Sequence, residues 1–498
     1  MGNHHGHHSQ KSDDTGSISG SSTSGSHRKS SHRNSTTTDN SQEKPLEQMA
    51  PLERLAKILT EKTQEEDHIK GVTQNVFYRY LFPKYPLLAD KLYKFFLENS
   101  QSKQNYLSTQ SFQQQCEKYL GILEDHAILD IWVKMWSTFD TEKNSYSITP
   151  DAFKSLLMCA YHVSMDHYSE GPQMCLSINK TLQAVVDGCF YQKPSLSSQY
   201  VMHWLADHAS RLLLPLHRYA VHSMATAWRT IDQSEPPEST GLELATPVLE
   251  QPSPFGQSKN PHPHLLTMSL SWLLAGALPP LYSRPQKASS PGSSATGLAS
   301  MSFLSKIACA IPSHWTLIYD SDENGLGANR FLHHVLGYKG PTIVIFKVED
   351  DQKFCVSSPC EWKESNHYFG GEGSAVFQLL PKFQLLEKGS KLLYLNTTVR
   401  GYPHGLRAGS NPREPIIIVD GGFEKMEWKK IPYYIETIEV WGCGDQVQRE
   451  RQLEVKKWEV KEAEKQRTVK LSAADWLDHP DRYLLELAGR PQYHQNQT

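Results

Sequence analysis

The chain has 498 residues and carries 51 Lys and Arg side chains against 54 Asp and Glu, a net charge of −3. This balance provides neither the basic field that nucleic acid requires nor an acidic solvating tail, so we expect no nucleic-acid partner. Eight cysteines in so long a chain, without an apolar leader, indicate reduced and mostly buried thiols in a cytosolic protein. Cys355 and Cys360 lack a second pair at zinc-finger spacing, so we expect no metal site there.

Residues 1–45 contain only Met1 and Ile18 as clearly apolar side chains. Such a segment cannot bury enough surface to offset its ordering entropy, so a disordered Ser/His-rich tail is predicted. Met1 precedes Gly2, which is where an N-myristoyl group is attached, although Gly6 replaces the usual Ser or Thr. An ordinary initiator Met-Gly is the alternative. A single myristoyl chain binds membranes reversibly, so stable anchoring needs a second contact, which we expect from a protein partner.

Residues 46–232 repeat apolar side chains at helical spacing, for example in the stripes 52–59, 87–96 and 128–139. A stripe of this period forms the buried face of an amphipathic helix. The pattern predicts an all-α domain whose aromatic side chains form its core.

Two loops in this domain resemble the calcium loops of EF-hands, residues 139–153 and a partner loop at 100–112. The first departs from the calcium-binding pattern because Ser145 replaces the turn glycine, one extra residue separates Phe139 from Phe153, and no Glu stands at the twelfth position. The partner loop at 100–112 contains no acidic residue at all. Calcium needs several carboxylate oxygens, so we expect an EF-hand-like scaffold with no bound metal or cofactor.

Two stretches rich in Pro and Ser follow the helical domain. Residues 233–264 are predicted to be a Pro-rich linker, and residues 265–300 an apolar helix followed by a Ser-rich linker. The run Leu265–Leu278 is the most apolar of the chain, but Ser269 and Ser271 interrupt it. It is also shorter than the ~20 apolar residues that cross a membrane, so we expect a core helix.

Residues 301–443 open with a predicted short helix, which Ser302 begins and Pro312 ends. They then change to short strands, which are interrupted by one further helix that Gly337 ends. Many short strands with few helices favour a β-sandwich with helices at its flank, and the whole chain is then of the α+β class. The predicted strands are 315–320, 342–348, 375–380, 392–396, 415–420 and 434–441.

The motif residues of this region occur in a specific order. They are Asp320, Gly340, Pro341, Gly371, Glu372, Gly373, Glu439, Trp441 and Gly442. Together they resemble the TLDc domain family. The Met-Gly start, the EF-hand-like helices and the extended tail make the whole chain similar to the mTOR-associated EAK group of that family. In one departure, residues 424–430 are charged and aromatic where most TLDc domains carry Gly, Ser, Cys and Asn.

The resemblance implies a non-enzymatic binding function. TLDc proteins associate with the soluble sector of the vacuolar proton-pumping ATPase, some are linked to oxidation resistance, and the EAK group is linked to lysosomal mTOR signalling. We therefore expect a cytoplasmic adaptor, peripheral on lysosomal or endosomal membranes, whose partners are the pump, mTOR pathway components and the membrane itself through Gly2.

The alternative is an antioxidant or hydrolytic enzyme that uses Glu372 with Asp320 or Asp420 for acid–base chemistry. Each of these acids lies at a predicted strand end or turn, where acids are common for structural reasons. The Gly-rich turn 370–374 precedes a strand and not the helix N-terminus that a phosphate loop requires. We expect no catalytic residues.

Residues 444–498 form the C-terminal tail. More than half of the side chains at 445–470 are charged, which predicts a long solvated helix with a narrow apolar stripe. The large apolar side chains of the tail are costly to leave in water, so the tail either folds back onto the sandwich or lies along another protein. The candidate partner-binding side chains are Trp458, Trp476, Leu477, Tyr483 and Leu484.

Overall fold

The fold is that of a computed structural model, which describes only part of the chain. The described residues are 50–100, 104–141, 144–165, 177–231, 248–249, 264–283, 314–444 and 446–467, with Leu484 and Leu487. Gly2, Trp476, Leu477 and Tyr483 lie outside them. The predicted N-terminal tail, nearly all of both predicted linkers and the predicted helix that Ser302 begins also lie outside the described residues. None of the helices in the described ranges combines the length and the apolar character that crossing a membrane demands.

The first half of the described chain is helical. The four helices that begin at residues 74, 109, 150 and 198 each follow a Ser or Thr whose side-chain oxygen accepts a backbone N–H of the first turn, as Ser108 accepts that of Ser111 at 3.1 Å. These hydroxyl caps fix where the helices start. The helices are α1 (Pro51–Glu66), α2 (Gln74–Leu81), α3 (Pro86–Asn99), α4 (Thr109–Leu120), α5 (Asp125–Trp136), α6 (Pro150–Ser164), α7 (Ile178–Phe190), α8 (Ser198–His208) and α9 (Leu214–Thr226).

The loops between these helices pair as EF-hand loops do, by short antiparallel contacts. Val72 in the α1–α2 loop and Leu107 in the α3–α4 loop exchange backbone hydrogen bonds of 2.7 and 3.1 Å. In the next pair, β1 (Thr138–Asp140) and β2 (Ser145–Ile148) form a hairpin, and β2 continues to β3 (Leu196–Ser197) before α8. The eight helices α1–α8 are thus arranged as two pairs of helix–loop–helix units.

The predicted partner of the 139–153 loop was wrong. That loop pairs with β3 in the α7–α8 loop, whereas the 100–112 loop pairs with residues around Val72. The true partner loops carry no calcium-like acidic pattern, so their pairing could not be read from the sequence.

Helix α10 (Met268–Ala277) is a buried helix, as its apolar sequence predicts. Residues 268–276 are all buried, because the helix packs against α6 and α7 on one side and leads to the short helix α11 (Pro280–Ser283) beside the sheet. A helix buried all around forms where other elements enclose it completely. Helix α10 therefore lies within the core that the helices and the sheet share.

The second half is a largely antiparallel sheet of eleven strands that curls on itself. The path runs β10-β11-β12-β13-β14-β6-β7-β8-β9, while β5 pairs with the end of β14 and β4 pairs with β5 in parallel. The strands are β4 (Val248–Leu249), β5 (His314–Asp320), β6 (Thr342–Val348), β7 (Gln352–Ser358), β8 (Ala375–Leu380), β9 (Gln384–Lys388), β10 (Leu393–Asn396), β11 (Gly405–Ala408), β12 (Ile417–Val419), β13 (Lys425–Trp428) and β14 (Ile431–Gly442).

The curl creates two apolar layers. Alternate residues of the central strands, such as Val344 and Val356, pack against residues of β10–β13, such as Leu406, and form the interior of a sandwich. The intervening residues, such as Ile345 and Phe377, join the core shared with the helices. Because both faces of these strands are covered, β6 and β8 are apolar along almost their whole length.

The α+β class, the helical first half and the C-terminal helix are confirmed. The sandwich is one continuous curled sheet, in which the long strand β14 pairs with β13 through its first half and with β6 and β5 through its second half. Among the described residues after β5, the helices α12 (Ser321–Asn324), α13 (Ala328–Val335) and the tail helix α14 (Gln446–Arg467) flank or follow the sheet.

Candidate functional site

The buried carboxylate of Glu439 joins the sheet to the segment that leads into α10. Its Oε1 accepts the backbone N–H of Leu265 at 2.6 Å, and its Oε2 accepts that of Leu266 at 3.1 Å. The indole N–H of Trp441, two residues along β14, donates to Oε2 at 2.9 Å. A buried carboxylate is tolerated only where donors replace its water shell, and here backbone and indole donors do so.

His264 and Asp320 complete a cluster of three ionisable groups around Glu439. His264 Nδ1 lies 3.3 Å from Glu439 Oε1 and 3.9 Å from Asp320 Oδ2. Asp320 ends β5, and its Oδ1 accepts the N–H of Asp322 at 2.9 Å, so it also caps α12. The hydrogen bond to Glu439 raises the pKa of His264, and burial raises the pKa of Asp320.

The donor set of this cluster is one that metals use. The histidine nitrogen and the two carboxylate oxygens all lie within 4.8 Å of one another, and zinc accepts such ligands. Both oxygens of Glu439, however, already accept hydrogen bonds from backbone N–H groups or from the indole of Trp441, so they are committed within the fold. The geometry therefore suits a hydrogen-bonded cluster better than a metal centre. We call the contact of Glu439 with His264, Leu265 and Leu266 the Glu439 clasp.

Arg211 holds the opposite end of α10. Its backbone N–H donates to the carbonyl of Gly276 at 3.0 Å, and its guanidinium donates to the carbonyl of Leu278 at 3.1 Å. These carbonyls belong to the last turn, which lacks partners within the helix. An acid before α10 and an arginine after it match the helix dipole at both ends. The acid comes from the sheet and the arginine from the loop between α8 and α9, so α10 connects the two regions.

The middle of α10 is fixed by specific polar contacts. The indole N–H of Trp272 donates to Ser164 Oγ at 3.2 Å, and the hydroxyls of Ser269 and Thr181 are 2.8 Å apart. Ser271 Oγ donates to the carbonyl of Met268 at 2.8 Å. The two serines that interrupt the apolar run in the sequence thus have hydrogen-bond partners inside the core.

The glycines of the TLDc motif allow close approach of the chain around Tyr338. A Cβ at Gly340 would lie 2.9 Å from the Tyr338 ring, and one at Gly442 would lie 2.5 Å from it. The carbonyl of Pro341 accepts the N–H of Cys443 at 2.7 Å. These residues join the start of β6 to the end of β14, which is a packing role.

The turn at Gly371–Gly373 borders a groove between the helices and the sheet. The groove has a volume of about 320 Å³, and Glu372, Arg211, Asp207 and Lys388 are among its lining residues. The Gly373 carbonyl accepts the hydroxyl of Tyr282 at 3.0 Å, while Glu372 itself is exposed.

The three acids of the enzymatic alternative have different surroundings. Asp320 belongs to the cluster with Glu439, and Glu372 faces the open groove. Asp420 Oδ1 accepts the backbone N–H groups of Glu424 and Lys425 at 2.8 and 3.1 Å, so it closes its own turn. The structure gives these acids no common partner within the described residues.

Of the candidate tail residues, Trp458 lies on α14 and is 63% exposed, and Leu484 is 64% exposed. Sequence reasoning named Asp320, Glu439 and Trp441 but missed His264 and Arg211. The signal for these two was weak, because each is a single polar residue beside a long apolar stretch, His264 before α10 and Arg211 after α8.

Comparison with known proteins agrees with this fold. Residues 293–444 match the TLDc domain family. The chain is also similar to three fungal proteins named restriction of telomere capping protein 5. That of Neurospora crassa is 25% identical over 247 residues, which cover 35% of this chain and 41% of the relative. That of Colletotrichum graminicola is 24% identical, covering 34% and 39%, and that of Kluyveromyces lactis is 27% identical, covering 28% and 30%.

The similarity is thus limited in extent, since the chain spans about two fifths or less of the length of these curated relatives. Strands β5 to β14 of the curled sheet lie within the matched residues, as do the motif acids and glycines. This chain therefore carries a TLDc domain at residues 293–444 and is a distant relative of restriction of telomere capping protein 5.

Proposed function

We propose that this chain is a non-enzymatic adaptor or regulator of the EAK group of TLDc proteins. In this proposal it binds the soluble sector of the vacuolar proton-pumping ATPase at lysosomal or endosomal membranes and supports mTOR-linked signalling. Its attachments are the TLDc domain, the tail helix α14 and a myristoyl group on Gly2. Linked weak contacts raise the effective concentration of each at its site, which lets a single lipid chain suffice.

The observation that carries the proposal is that residues of the TLDc motif make their contacts inside the domain. Glu439 and Asp320 hold the α10 segment and cap α12, and the motif glycines pack around Tyr338. Groups committed to hydrogen bonds within the fold are poor candidates for acid–base work on a substrate. This favours recognition by the exterior of the domain over catalysis in its interior.

The direct test is binding of the full-length chain to purified soluble sector of the pump. We expect co-elution in size exclusion, and recovery of pump subunits when the tagged chain is purified from lysosomal membranes. Trp458→Ala should weaken binding, whereas Tyr402→Ala, a change to another exposed aromatic side chain, should not. A full-length chain that never co-elutes with the sector would overturn the proposal.

Membrane attachment has a separate test. Gly2→Ala removes the N-terminal glycine that N-myristoylation requires and should shift the chain from the membrane to the supernatant fraction, while Ser21→Ala should leave fractionation unchanged. If Gly2→Ala fractionates as the unaltered chain does, lipid attachment is not part of the function.

The enzymatic alternative would use the exposed Glu372 with Asp320 or Asp420. It predicts turnover of a peroxide or an ester by the purified chain, and loss of that turnover in Glu372→Gln. The adaptor proposal predicts no turnover that depends on Glu372.

A further inference from the structure

Two side chains of the tail helix α14 bind the end of α13. Gln452 is only 1% exposed, and its amide donates to the carbonyls of His334 at 3.0 Å and Leu336 at 3.1 Å. One turn later, the ammonium group of Lys456 donates to the carbonyl of His334 at 3.0 Å and to that of His333. The last carbonyls of a helix have no partner within it, so α14 completes the hydrogen bonding of α13.

The charges at this contact suit a helix C-terminus. Arg449 Nη1 donates to Gln452 Oε1 and orients the amide. Burial lowers the pKa of Lys456 to about 8, so its amine is still mostly protonated at neutral pH. Burial, with Lys456 and other nearby cations, lowers the pKa of His334 to about 4, so His334 adds no competing charge. The contact thus places the Lys456 ammonium group, with the Arg449 guanidinium nearby, at the negative end of the α13 dipole.

The apolar side chains of α14 are only partly covered by the domain. Val455, Trp458 and Val460 are each at least half exposed, and Leu453 is 39% exposed. The helix also lies near β5, but its fully buried contact with α13 is polar, and its apolar side chains remain largely in water. Burial of apolar surface is what normally makes helix docking strong, so this contact depends on a few hydrogen bonds of modest net strength.

A groove beside Gln452 and Lys456 shows that part of α14 is not packed against the domain. It lies between α13 and α14, has a volume of about 380 Å³, and is lined by Leu332, Leu336 and Val455 together with polar side chains. The two helices therefore do not interdigitate along this flank. Regions with few buried apolar contacts are the first to open in native proteins.

We propose that α14 is a detachable arm, held on the end of α13 by a latch of Gln452 and Lys456, and that the latch opens while the curled sheet stays folded. Opening frees the apolar side chains of α14 on all sides and leaves the carbonyls of α13 to water. The inference concerns the chain alone and does not depend on the pump.

Hydrogen exchange of the full-length chain tests the latch. In Gln452→Ala/Lys456→Ala we expect the amides of α14 to exchange roughly tenfold faster or more, because an isolated helix is marginal in water and loses several hydrogen bonds of docking. The amides of β6 should keep their protection. The matched control is Lys457→Ala/Lys461→Ala, which changes two exposed residues of the same helix and should leave exchange as it is.

The hydrogen-exchange experiment has three possible outcomes, and each supports or overturns the latch. Faster exchange confined to α14 and the end of α13 supports the latch. If the double variant and the control exchange alike, the latch is not what holds the helix. If β6 loses protection together with α14, the helix is an integral part of the domain and does not detach.

Discussion

A Cβ atom at Gly188 would lie 2.0 Å from the carbonyl oxygen of Phe383, so helix α7 and the β8–β9 turn meet where only glycine fits. The N–H of Phe383 donates to the carbonyl of Ala184 at 2.8 Å, one turn earlier on α7, and the Phe383 ring packs edge-on against Trp204. The helical region and the TLDc sheet are therefore in backbone contact and share one core. Interfaces of this kind do not allow one region to move freely against the other.

The first prediction follows from that contact. Gly188→Ala should destabilise the chain by about 2 kcal/mol, because backbone on both sides must shift to admit a methyl group. Gly422→Ala is the control, since the nearest atoms to its Cβ would be 3.6 Å away. The free energy of unfolding in urea measures both. Equal stability of the two variants would show that the close approach is not as the structure has it.

The second prediction concerns the clasp at Glu439. Glu439→Gln places an amide N–H against one of the donors that Glu439 now accepts, and it removes the charge that favours protonated His264. We expect a loss of about 2–4 kcal/mol and faster hydrogen exchange along α10.

The control for the clasp is Glu436→Gln on the same strand. Glu436 pairs with Lys347 at the surface, where such pairs contribute about 0–1 kcal/mol. If both variants cost the same, the buried carboxylate does not hold α10.

Much of this fold could be predicted from the sequence, and the exceptions have a physical cause. Strands β6 and β8 match their predicted bounds exactly, because burial on both faces makes them apolar from end to end. Strands β4, β7, β9, β11 and β13 of the curled sheet were missed. Of these, β7 begins with Gln and Lys and ends in two serines, and β13 is half charged. Cross-strand pairing, which the sequence does not display, fixes such strands.

In the candidate site, too, some residues could be predicted from the sequence and others could not. Asp320, Glu439 and Trp441 stood out as motif residues, but their partners did not. Leu265 contributes only a backbone N–H and lies 174 residues from Glu439, and His264 lies 175 residues away. Contacts this distant exist only once the whole fold has formed.

The third prediction is a pH dependence centred on His264. The groups facing it are Glu439, Asp320 and Glu323, and together they raise its pKa in the folded state above the unfolded value of ~6.5. The stability it contributes is then fully present below about pH 6.5 and is lost as the pH rises through the folded pKa. Burial raises the pKa of Asp320 as well, so ionisation of Asp320 also lowers the stability of the fold as the pH rises.

Urea unfolding of the full chain from pH 6 to 9 measures this dependence. His264→Gln should flatten the fall in stability with pH, because its side chain no longer titrates. His333→Gln, on α13 and away from the cluster, should keep the slope of the unaltered chain. A His264→Gln variant with an unchanged slope would remove His264 from the clasp.

The fourth prediction concerns acid and a different histidine, His217, which is buried in α9. Its Nδ1 lies 3.1 Å from the hydroxyl of Tyr119 and its Nε2 lies 3.2 Å from the carbonyl of Ile122. Burial lowers the pKa of His217 to about 4, so the folded chain keeps it neutral. For a depressed histidine pKa, the stability is fully present above the unfolded pKa of ~6.5 and is lost as the pH falls to the folded value, by about 3 kcal/mol. In urea unfolding, His217→Gln should have a lower free energy of unfolding at pH 7 but should lose about 3 kcal/mol less of it than the unaltered chain between pH 7 and 4. His126→Gln, at the exposed start of α5, should follow the unaltered chain. Identical acid profiles for all three chains would place the acid sensitivity at other groups.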